Sequence, residues 1–275
     1  MNKDNRFQFI NSEKCENITA LDATMSDFSY SKHAHEEYSL GVTLQGRQDF
    51  FCQSAFHKSS SGNVILFNPE DVHDGHAGGV QQLKYIMLYV HPDEFLPLFR
   101  ALGYQQNSVL RLNAPMIDNP ILRNQILKLS SIIQQPNYSM VEFEFSLFQI
   151  AQSLVAISGH LDIGTENSKR TDKLLLRAKD YILASLEHNI SIDDIASVAT
   201  MSKYHFIRQF RLQFGITPHQ YVLSCRVNLA RRIIESGKSL NEAAFAAGFA
   251  DDSHLNRHFK RIYGLTPKRF QKQIP

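Results

Sequence analysis

Ile207-Arg-Gln-Phe210-Arg-Leu-Gln-Phe214-Gly-Ile-Thr-Pro218 returns as Asn256-Arg-His-Phe259-Lys-Arg-Ile-Tyr263-Gly-Leu-Thr-Pro267, 49 positions later. Phe206, Phe210, Phe214 and Tyr221 map onto Leu255, Phe259, Tyr263 and Phe270. Upstream, Ile195-Ala196 and Ala199 match Ala243-Ala244 and Ala247 at an offset of 48. The one-residue slip falls where each unit must turn, Thr200-Met201-Ser202 against Gly248-Phe249-Ala250-Asp251. Two copies of one inside/outside pattern so close together mark a duplicated structural unit.

Each unit reads as helix, tight turn, helix. Ser202 and Asp251 are side-chain acceptors just ahead of an apolar-periodic stretch, which suits an N-cap. In the helix that follows, Phe206, Phe210 and Phe214 step by four and form one buried face. The opposite face carries Tyr204, Ile207, Arg208 and Arg211; in the second copy the same slots hold Ser253, Asn256, Arg257 and Lys260. Arginine can donate two bonds to guanine and asparagine can pair with adenine, so such a face is built like a major-groove reader. Lys and Arg near the helix end can neutralise phosphates. Any exposed helix face is polar, and one such helix would mean little; arginines in the same slot of two copies point to nucleic acid. Between the units, Pro218 to Ser236 reads as one long helix ended by Gly237, with Val222, Cys225, Leu229, Arg232 and Ile233 on its period. A stiff connector would hold two readers a fixed distance apart, and two readers on one face of B-DNA need about 34 Å.

From about 172 to 272 the chain resembles the DNA-binding domain of the AraC/XylS family of transcription regulators. The stretches that carry the resemblance are Ser202-Lys-Tyr-His-Phe-Ile-Arg-Gln-Phe210, Gly248-Phe249, Leu255-Asn-Arg-His-Phe-Lys260 and Gly264-Leu-Thr-Pro267. The resemblance implies base contacts from Tyr204, Ile207, Arg208, Ser253, Asn256 and Arg257. The chain departs from the pattern at Thr200, where the second copy has Gly248. A β-branched residue disfavours positive φ, so the first turn is expected to differ from the second.

The 275 residues fit two domains, and a hydrophobic content of 43% is enough for sizeable cores. No apolar run approaches 18 residues, and the polar start, Met1 to Arg6, does not read as a signal peptide. Cys15, Cys52 and Cys225 lack metal-like spacing and read as small buried hydrophobes in a reducing cytoplasm. The net charge of +2 hides an asymmetry: from Thr171 onward there are 16 basic and 9 acidic residues, a net +7, which leaves −5 for the remainder. Positive charge thus gathers on the part with the readers.

Between about Thr19 and Val90 the chain reads as short strands, among them Leu40–Leu44, Gln48–Cys52, Asn63–Phe67 and Leu83–Val90, with Gly, Ser, Asn and Pro between them. This half resembles the small β-barrel (cupin) sensor of AraC-type regulators. The carriers are His33-Ala-His35 with Gly46, and Gly62-Asn-Val-Ile-Leu-Phe-Asn-Pro-Glu-Asp-Val-His73. Metal-binding cupins present three histidines and an acid, and His33, His35 and His73 match the histidines. No carboxylate stands at positions 38 to 40, and Glu36 and Glu37 come too early. His33 and His35, two apart, would share a strand face, while His73 and His76 read as loop residues. The resemblance implies an organic effector and no metal; His33, His35, Glu37, Tyr38 and His73 are the candidate contacts, with Arg47 as further polar lining. If a metal is held, the three histidines would hold it.

After the barrel, Pro92–Leu102 reads as a short helix, Gly103–Pro120 as turn-rich, and Ile121–Gln134 and Tyr138–Gly159 as helices. In the last, Met140, Phe143, Leu147, Ile150 and Leu154 step by three and four, a coiled-coil-like seam. The resemblance implies a dimer contact there. Leu161–Arg170 is polar and reads as a linker.

The expected architecture is α+β: a small cupin-like β-barrel with following helices, then an all-α domain of two helix-turn-helix units joined by a long helix. The effector and dimerisation domain would span 1–162, with the barrel at about 15–92 and helices at about 120–160. The linker would be 163–170 and the DNA-binding domain 171–275, with units at about 192–215 and 240–264. The expected protein is a cytoplasmic, homodimeric, sequence-specific regulator of transcription, not an enzyme. It would bind double-stranded DNA and a small effector, and RNA polymerase if it activates; no cofactor or membrane is expected. The alternative is a cupin-type metal-dependent enzyme fused to a DNA-targeting domain, which the missing acid disfavours.

Overall fold

Period-two alternation builds the first half. The computed structural model describes residues 5–12, 15–104, 109–135, 138–158, 173–188 and 190–274. Among these the strands are β1 (Arg6–Ser12), β2 (Cys15–Met25), β3 (Ser29–His33), β4 (Tyr38–Gln45), β5 (Arg47–Cys52), β6 (Ala55–Ser60), β7 (Val64–Phe67), β8 (His73–Ala77), β9 (Leu83–Val90) and β10 (Met116–Ile117). They form two antiparallel sheets, β1-β2-β9-β4-β7-β10 and β3-β8-β5-β6. Tyr85, Met87 and Tyr89 of β9 face one side of the large sheet and Leu88 and Val90 the other, and both sides are buried. Helices α1 (Pro92–Ala101), α2 (Pro120–Ile133) and α3 (Met140–Ile157) cover the Leu88 side. On the other side the small sheet packs Phe50 and Cys52 against Ile65 and Phe67.

Two features of this half differ from the sequence reading. Strand β1 precedes the expected first strand; its Phe7 and Phe9 alternate with polar residues, a short period-two signal in a polar terminus. His73 and His76 lie on β8 rather than in a loop. The expected linker, 163–170, lies outside the described residues.

The second half is helical: α4 (Lys173–Ala184), α5 (Ile192–Val198), α6 (Lys203–Phe214), α7 (Pro218–Glu235), α8 (Leu240–Ala246), α9 (Asp252–Tyr263) and α10 (Pro267–Gln271). Units α5–α6 and α8–α9 are joined through α7, which Gly237 ends at φ +82°. Helix α7 is not amphipathic in the usual sense, because Tyr221, Leu223, Cys225, Val227, Ala230 and Ile234 are all buried. It packs on the first unit, on the second unit and on the barrel.

The two halves share one core. Where the small sheet leaves the β1-β2-β9 face, Phe7, Phe9 and Tyr89 pack with Val227, Tyr263 and Phe270. The β1 backbone is finished from the far end of the chain: Gln273 Oε1 accepts from the Phe9 N–H at 3.0 Å and its Nε2 donates to the Phe7 carbonyl at 3.1 Å. A Cβ on Gly264 would meet the Phe7 ring at 2.7 Å, so this position needs glycine for the close approach as well as for its φ of +79°.

Charge crosses the same boundary. The Arg231 guanidinium, almost fully buried, donates to Glu37, with Glu235 at 3.6 Å and the Tyr263 ring at 5.6 Å. Burial alone would raise the Glu37 carboxyl, but the Arg231 charge and hydrogen bond hold it below the ordinary value. Arg232 pairs with Glu36 at 2.6 Å and Lys179 with Glu70 at 2.7 Å.

The first turn does not differ from the second as expected. Thr200 takes φ +53° and Gly248 φ +76°, the same left-handed turn. The Thr200 hydroxyl donates to the Ala199 carbonyl at 2.7 Å. The second turn has no such freedom, because a Cβ on Gly248 would sit 2.3 Å from the Leu186 carbonyl oxygen.

Two predictions follow from these contacts. Thr200→Gly should stabilise the chain by about 1 kcal/mol and Gly248→Ala should destabilise it by about 1–3 kcal/mol in urea denaturation, since only the first turn carries relievable strain. Glu37→Gln, which leaves the Arg231 charge buried, should cost about 3–5 kcal/mol, and the double change Glu37→Leu with Arg231→Met should recover most of it. A Glu37→Gln chain as stable as the parent would mean that the ion pair does not hold the halves together.

Candidate DNA interface and histidine cluster

The two reader helices are set by local signals. Ser191 and Asp194 form a capping box at α5, and Ser239 and Glu242 form one at α8. The Ser-x-x-Asp and Ser-x-x-Glu spacings signal these boxes in the sequence. Asp251 caps α9, accepting from the His254 N–H at 2.7 Å, whereas Ser202 occupies the N-cap of α6 without a side-chain bond. Phe206 and Phe210 of α6, and Leu255 and Phe259 of α9, are buried. The opposite faces are open: Tyr204, Arg208, Arg211, Ser253, Asn256, Arg257 and Lys260 are exposed and Ile207 is half-buried. Among the described residues none of the four basic side chains on these faces has an ion-pair partner. Two basic helix faces, each stiffened by an aromatic or aliphatic spine, are thus free for phosphates and base edges.

The structure brings His33, His35 and His73 together. They lie on β3, just after it, and at the start of β8; all are buried, and one ligand atom from each falls within 4.8 Å of the others. His33 Nδ1 faces the Ser31 carbonyl at 2.6 Å and His73 Nδ1 faces the Asp71 carbonyl at 2.8 Å. A carbonyl only accepts, so both Nδ1 atoms carry the proton and, in a neutral ring, each Nε2 keeps a lone pair. Burial lowers His33 to about 3, with help from nearby His73, and lowers His73 to about 4; burial also pushes His35 well below its ordinary value. Three neutral imidazoles therefore meet in one buried place.

The other candidate effector contacts do not join them. Glu37 turns to Arg231. Tyr38 is in the core on the α1 side of the large sheet, where its hydroxyl donates to the Leu110 carbonyl at 2.7 Å and its ring packs on Phe95 and Phe99. Strand alternation places Tyr38 away from the cluster. Arg47 is part-exposed and pairs with Asp49 at 2.7 Å.

The dimer seam also needs correction. Phe143, Leu147, Ile150 and Leu154 are buried in their own domain with α2 and the sheet, and only Met140 of the five is exposed. The stripe is wide because α3 packs against both. Its outer side shows Val141 and Phe145. At 18 residues and mean hydropathy 1.3, α3 is also long and apolar enough to cross a membrane by length and composition. Its buried face belongs to the core of this domain.

Sequence reasoning missed the residues that join the halves. Ala34, between two of the histidines, accepts at its carbonyl from Asn228 Nδ2 at 3.0 Å and donates its N–H to Ser224 Oγ at 3.2 Å. The Tyr263 hydroxyl donates to Asn228 Oδ1 at 2.9 Å. Between the barrel and the first unit lies a cleft of about 480 Å³, lined by Lys32, Phe51, Glu70, Arg111, Lys179 and Tyr221 among others. None of the five expected effector contacts lines it; Glu37 lines a smaller cleft of about 150 Å³ beside Arg231.

Comparison with known proteins agrees with this geometry. Residues 17–175, more than half of the chain, match the AraC-like ligand binding domain, and residues 174–273 match a helix-turn-helix domain. The chain is 26% identical over 226 residues to the HTH-type transcriptional regulator YbfI of Bacillus subtilis, covering 82% of this chain and 81% of that one. It is 22% identical over 260 residues to the HTH-type transcriptional activator RhaS of Klebsiella pneumoniae, covering 90% of each. Its fold is similar to that of ToxT from Vibrio cholerae, solved with a bound unsaturated fatty acid, at a TM-score of 0.58 and 13% identity over 98% of this chain and 97% of that one. The Bacillus and Klebsiella relatives are named as transcriptional regulators and lend no support to the enzyme alternative. The chain belongs to the AraC family of transcription regulators, with a ligand-binding domain ahead of a helix-turn-helix DNA-binding domain.

Proposed function

We propose that α6 and α9 read two successive major-groove segments, and that an organic effector in the cleft between the barrel and the first unit controls how α6 is presented. One observation carries this reading: the cleft takes its walls from both halves, Glu70 and Arg111 on one side and Lys179, Phe214 and Tyr221 on the other. A molecule there touches the sensor and the first reader unit at once. The volume suits a small organic ligand. Arg111 pairs with Asp71 at 2.6 Å and Lys179 with Glu70 at 2.7 Å, while Lys32 lies over the Phe51 ring at 4.6 Å. Three cations against two carboxylates favour an organic anion, and the fatty acid held by the Vibrio cholerae protein is one.

Tyr204, Ile207, Arg208, Ser253, Asn256 and Arg257 are the base readers in this scheme, and Arg211 and Lys260 the phosphate contacts. The Klebsiella relative is named as an activator, and on that ground we assign activation, with RNA polymerase as partner, in the cytoplasm. A homodimer formed through α3 would have to use its outer stripe, Met140, Val141 and Phe145, because the inner stripe is already packed.

Arg208→Ala and Arg257→Ala should each cost about 1–3 kcal/mol on a selected binding site and relax preference at one position, read by binding-site selection and gel shift. Lys260→Ala should weaken binding to all sequences alike and reduce the salt slope by about 1. Unchanged affinity and preference in both arginine variants would remove α6 and α9 as readers. For the cleft, a saturating organic anion at about 100 times its Kd should add about 2.7 kcal/mol of stability. Lys32→Ala should abolish that gain; a gain that survives it places the effector elsewhere.

A further inference from the structure

The His33–His35–His73 cluster gathers three ligand atoms in one buried place and flanks Ala34, which is bonded to the DNA-binding domain. Two of its rings have the orientation that metal-ligating histidines adopt. Their Nδ1–H groups are fixed on backbone carbonyls of Ser31 and Asp71, and their Nε2 lone pairs turn inward. The third ring is held by its neighbour, His35 Nε2 lying 3.1 Å from His33 Nε2. Two nitrogens on one tetrahedral zinc, with bonds of about 2.0–2.1 Å, stand about 3.3 Å apart. The spacing found is therefore close to what a shared ion requires.

The cluster is also incomplete as a purely protein structure. With the His33 Nε2 lone pair facing it, His35 must carry its proton on Nε2. Its Nδ1 is then a buried acceptor with no partner. A cation that takes the Nε2 lone pairs would stand where His33 and His35 now share one proton, and His35 Nδ1 has no protein partner in either state. The cupin enzyme set does not fit: no carboxylate joins the group among the described residues, and Glu37 is committed to Arg231. Three imidazoles without thiolate or carboxylate suit a divalent ion of the zinc, nickel or copper kind.

The position gives such an ion something to act on. His33 and His35 flank Ala34, whose N–H and carbonyl are bonded to Ser224 and Asn228 of α7. The His35 ring lies 5.9 Å from the ring of Tyr263 at the end of α9, and Tyr263 in turn bonds Asn228. Fixing the two histidines fixes the segment on which α7 docks.

We propose that His33, His35 and His73 bind one divalent transition-metal ion of the zinc class, and that its occupancy tightens the docking of α7 on the barrel. This is a second input, separate from the organic effector in the cleft, and it stands or falls independently of that effector.

The test uses the full chain, stripped with a chelator, reloaded with Zn(II) and desalted. One zinc per chain by elemental analysis is expected, with a raised Tm, and a Co(II)-loaded chain should show the intense visible bands of a four-coordinate site. His33→Gln and His73→Gln should lose the metal and the Tm shift together. Wild-type chain that retains no stoichiometric metal, or a His33→Gln/His73→Gln double variant that retains it, would overturn the site. Should the variants not fold, X-ray absorption of the zinc-loaded parent decides: imidazole nitrogens at about 2.0 Å support the site, and a sulfur or all-oxygen shell overturns it. Amide exchange across Tyr221–Glu235 tests the wiring. Exchange should slow several-fold when zinc is added to the parent, and an unchanged rate in a chain that does bind zinc would overturn the coupling.

Discussion

Helix α7 has to be core for three bodies at once, and most of this structure answers to that demand. A connector between two helix-turn-helix units needs one buried stripe. This one buries Tyr221, Val222 and Cys225 in the first unit, Val227, Ala230 and Ile234 in the core shared by the second unit and the barrel. A helix with neighbours on three sides must satisfy the polar groups that it buries. Ser224 and Asn228 do so on the Ala34 backbone, and Arg231 does so on Glu37. Each of these bonds joins residues roughly 190 positions apart in sequence. The polar side chains on α7 therefore act as a keyed surface: they cost free energy if the barrel leaves and are satisfied only when it returns in one register.

The same fact explains what could be read in the sequence and what could not. The duplicated unit was legible because its signals are local: an aromatic or aliphatic spine at spacing four, a glycine after each reader, and polar faces in matching slots. The strands of the barrel were legible for the same reason. What escaped is non-local. No pattern within α7 says that Arg231 faces a carboxylate rather than water, although the Arg231-Arg232 pair and the Glu36-Glu37 pair beside two histidines are complementary in charge. The resemblance assigns the α3 stripe to a partner, while its periodicity reports burial without saying against what; α2 and the sheet are the answer here. Periodicity alone does not say which side Tyr38 takes, and the strand's alternation puts it in the opposite layer from the histidines.

Thr200 shows a different limit. Steric preference argues against a β-branched residue at positive φ, yet the turn is made that way in the first copy and with glycine in the second. The fold of the unit over-determines the turn, and the Thr200 hydroxyl is satisfied there on the Ala199 carbonyl. In the second copy the Leu186 carbonyl occupies the space a Cβ would take and only glycine serves. Propensity set the sign of the cost correctly; tertiary context decided where it could be tolerated.

The barrel does not hold the two reader units equally, and this asymmetry gives ligands a lever. The second unit is bound by a continuous aromatic core, Phe7 and Phe9 against Tyr263 and Phe270, closed by Gln273 on the edge strand. The first unit meets the barrel through Val72 and through Lys179 on Glu70, a carboxylate side chain that is about half exposed. Apolar burial on the scale of several aromatic rings is worth several kcal/mol, whereas a part-exposed ion pair is worth about 1 kcal/mol or less. Under the proposed function, a ligand in the cleft beside Lys179 would compete only with the weaker contact. In that scheme a shift of the first unit against α7 would change the separation of the readers, and two readers on one duplex are sensitive to separation because the groove repeats about every 34 Å. A coupling of about 1–3 kcal/mol between ligand and DNA is of the order that the weaker contact can transmit. An input at the histidine cluster would act on the strong side of the same interface, setting how firmly the fixed reader is fixed.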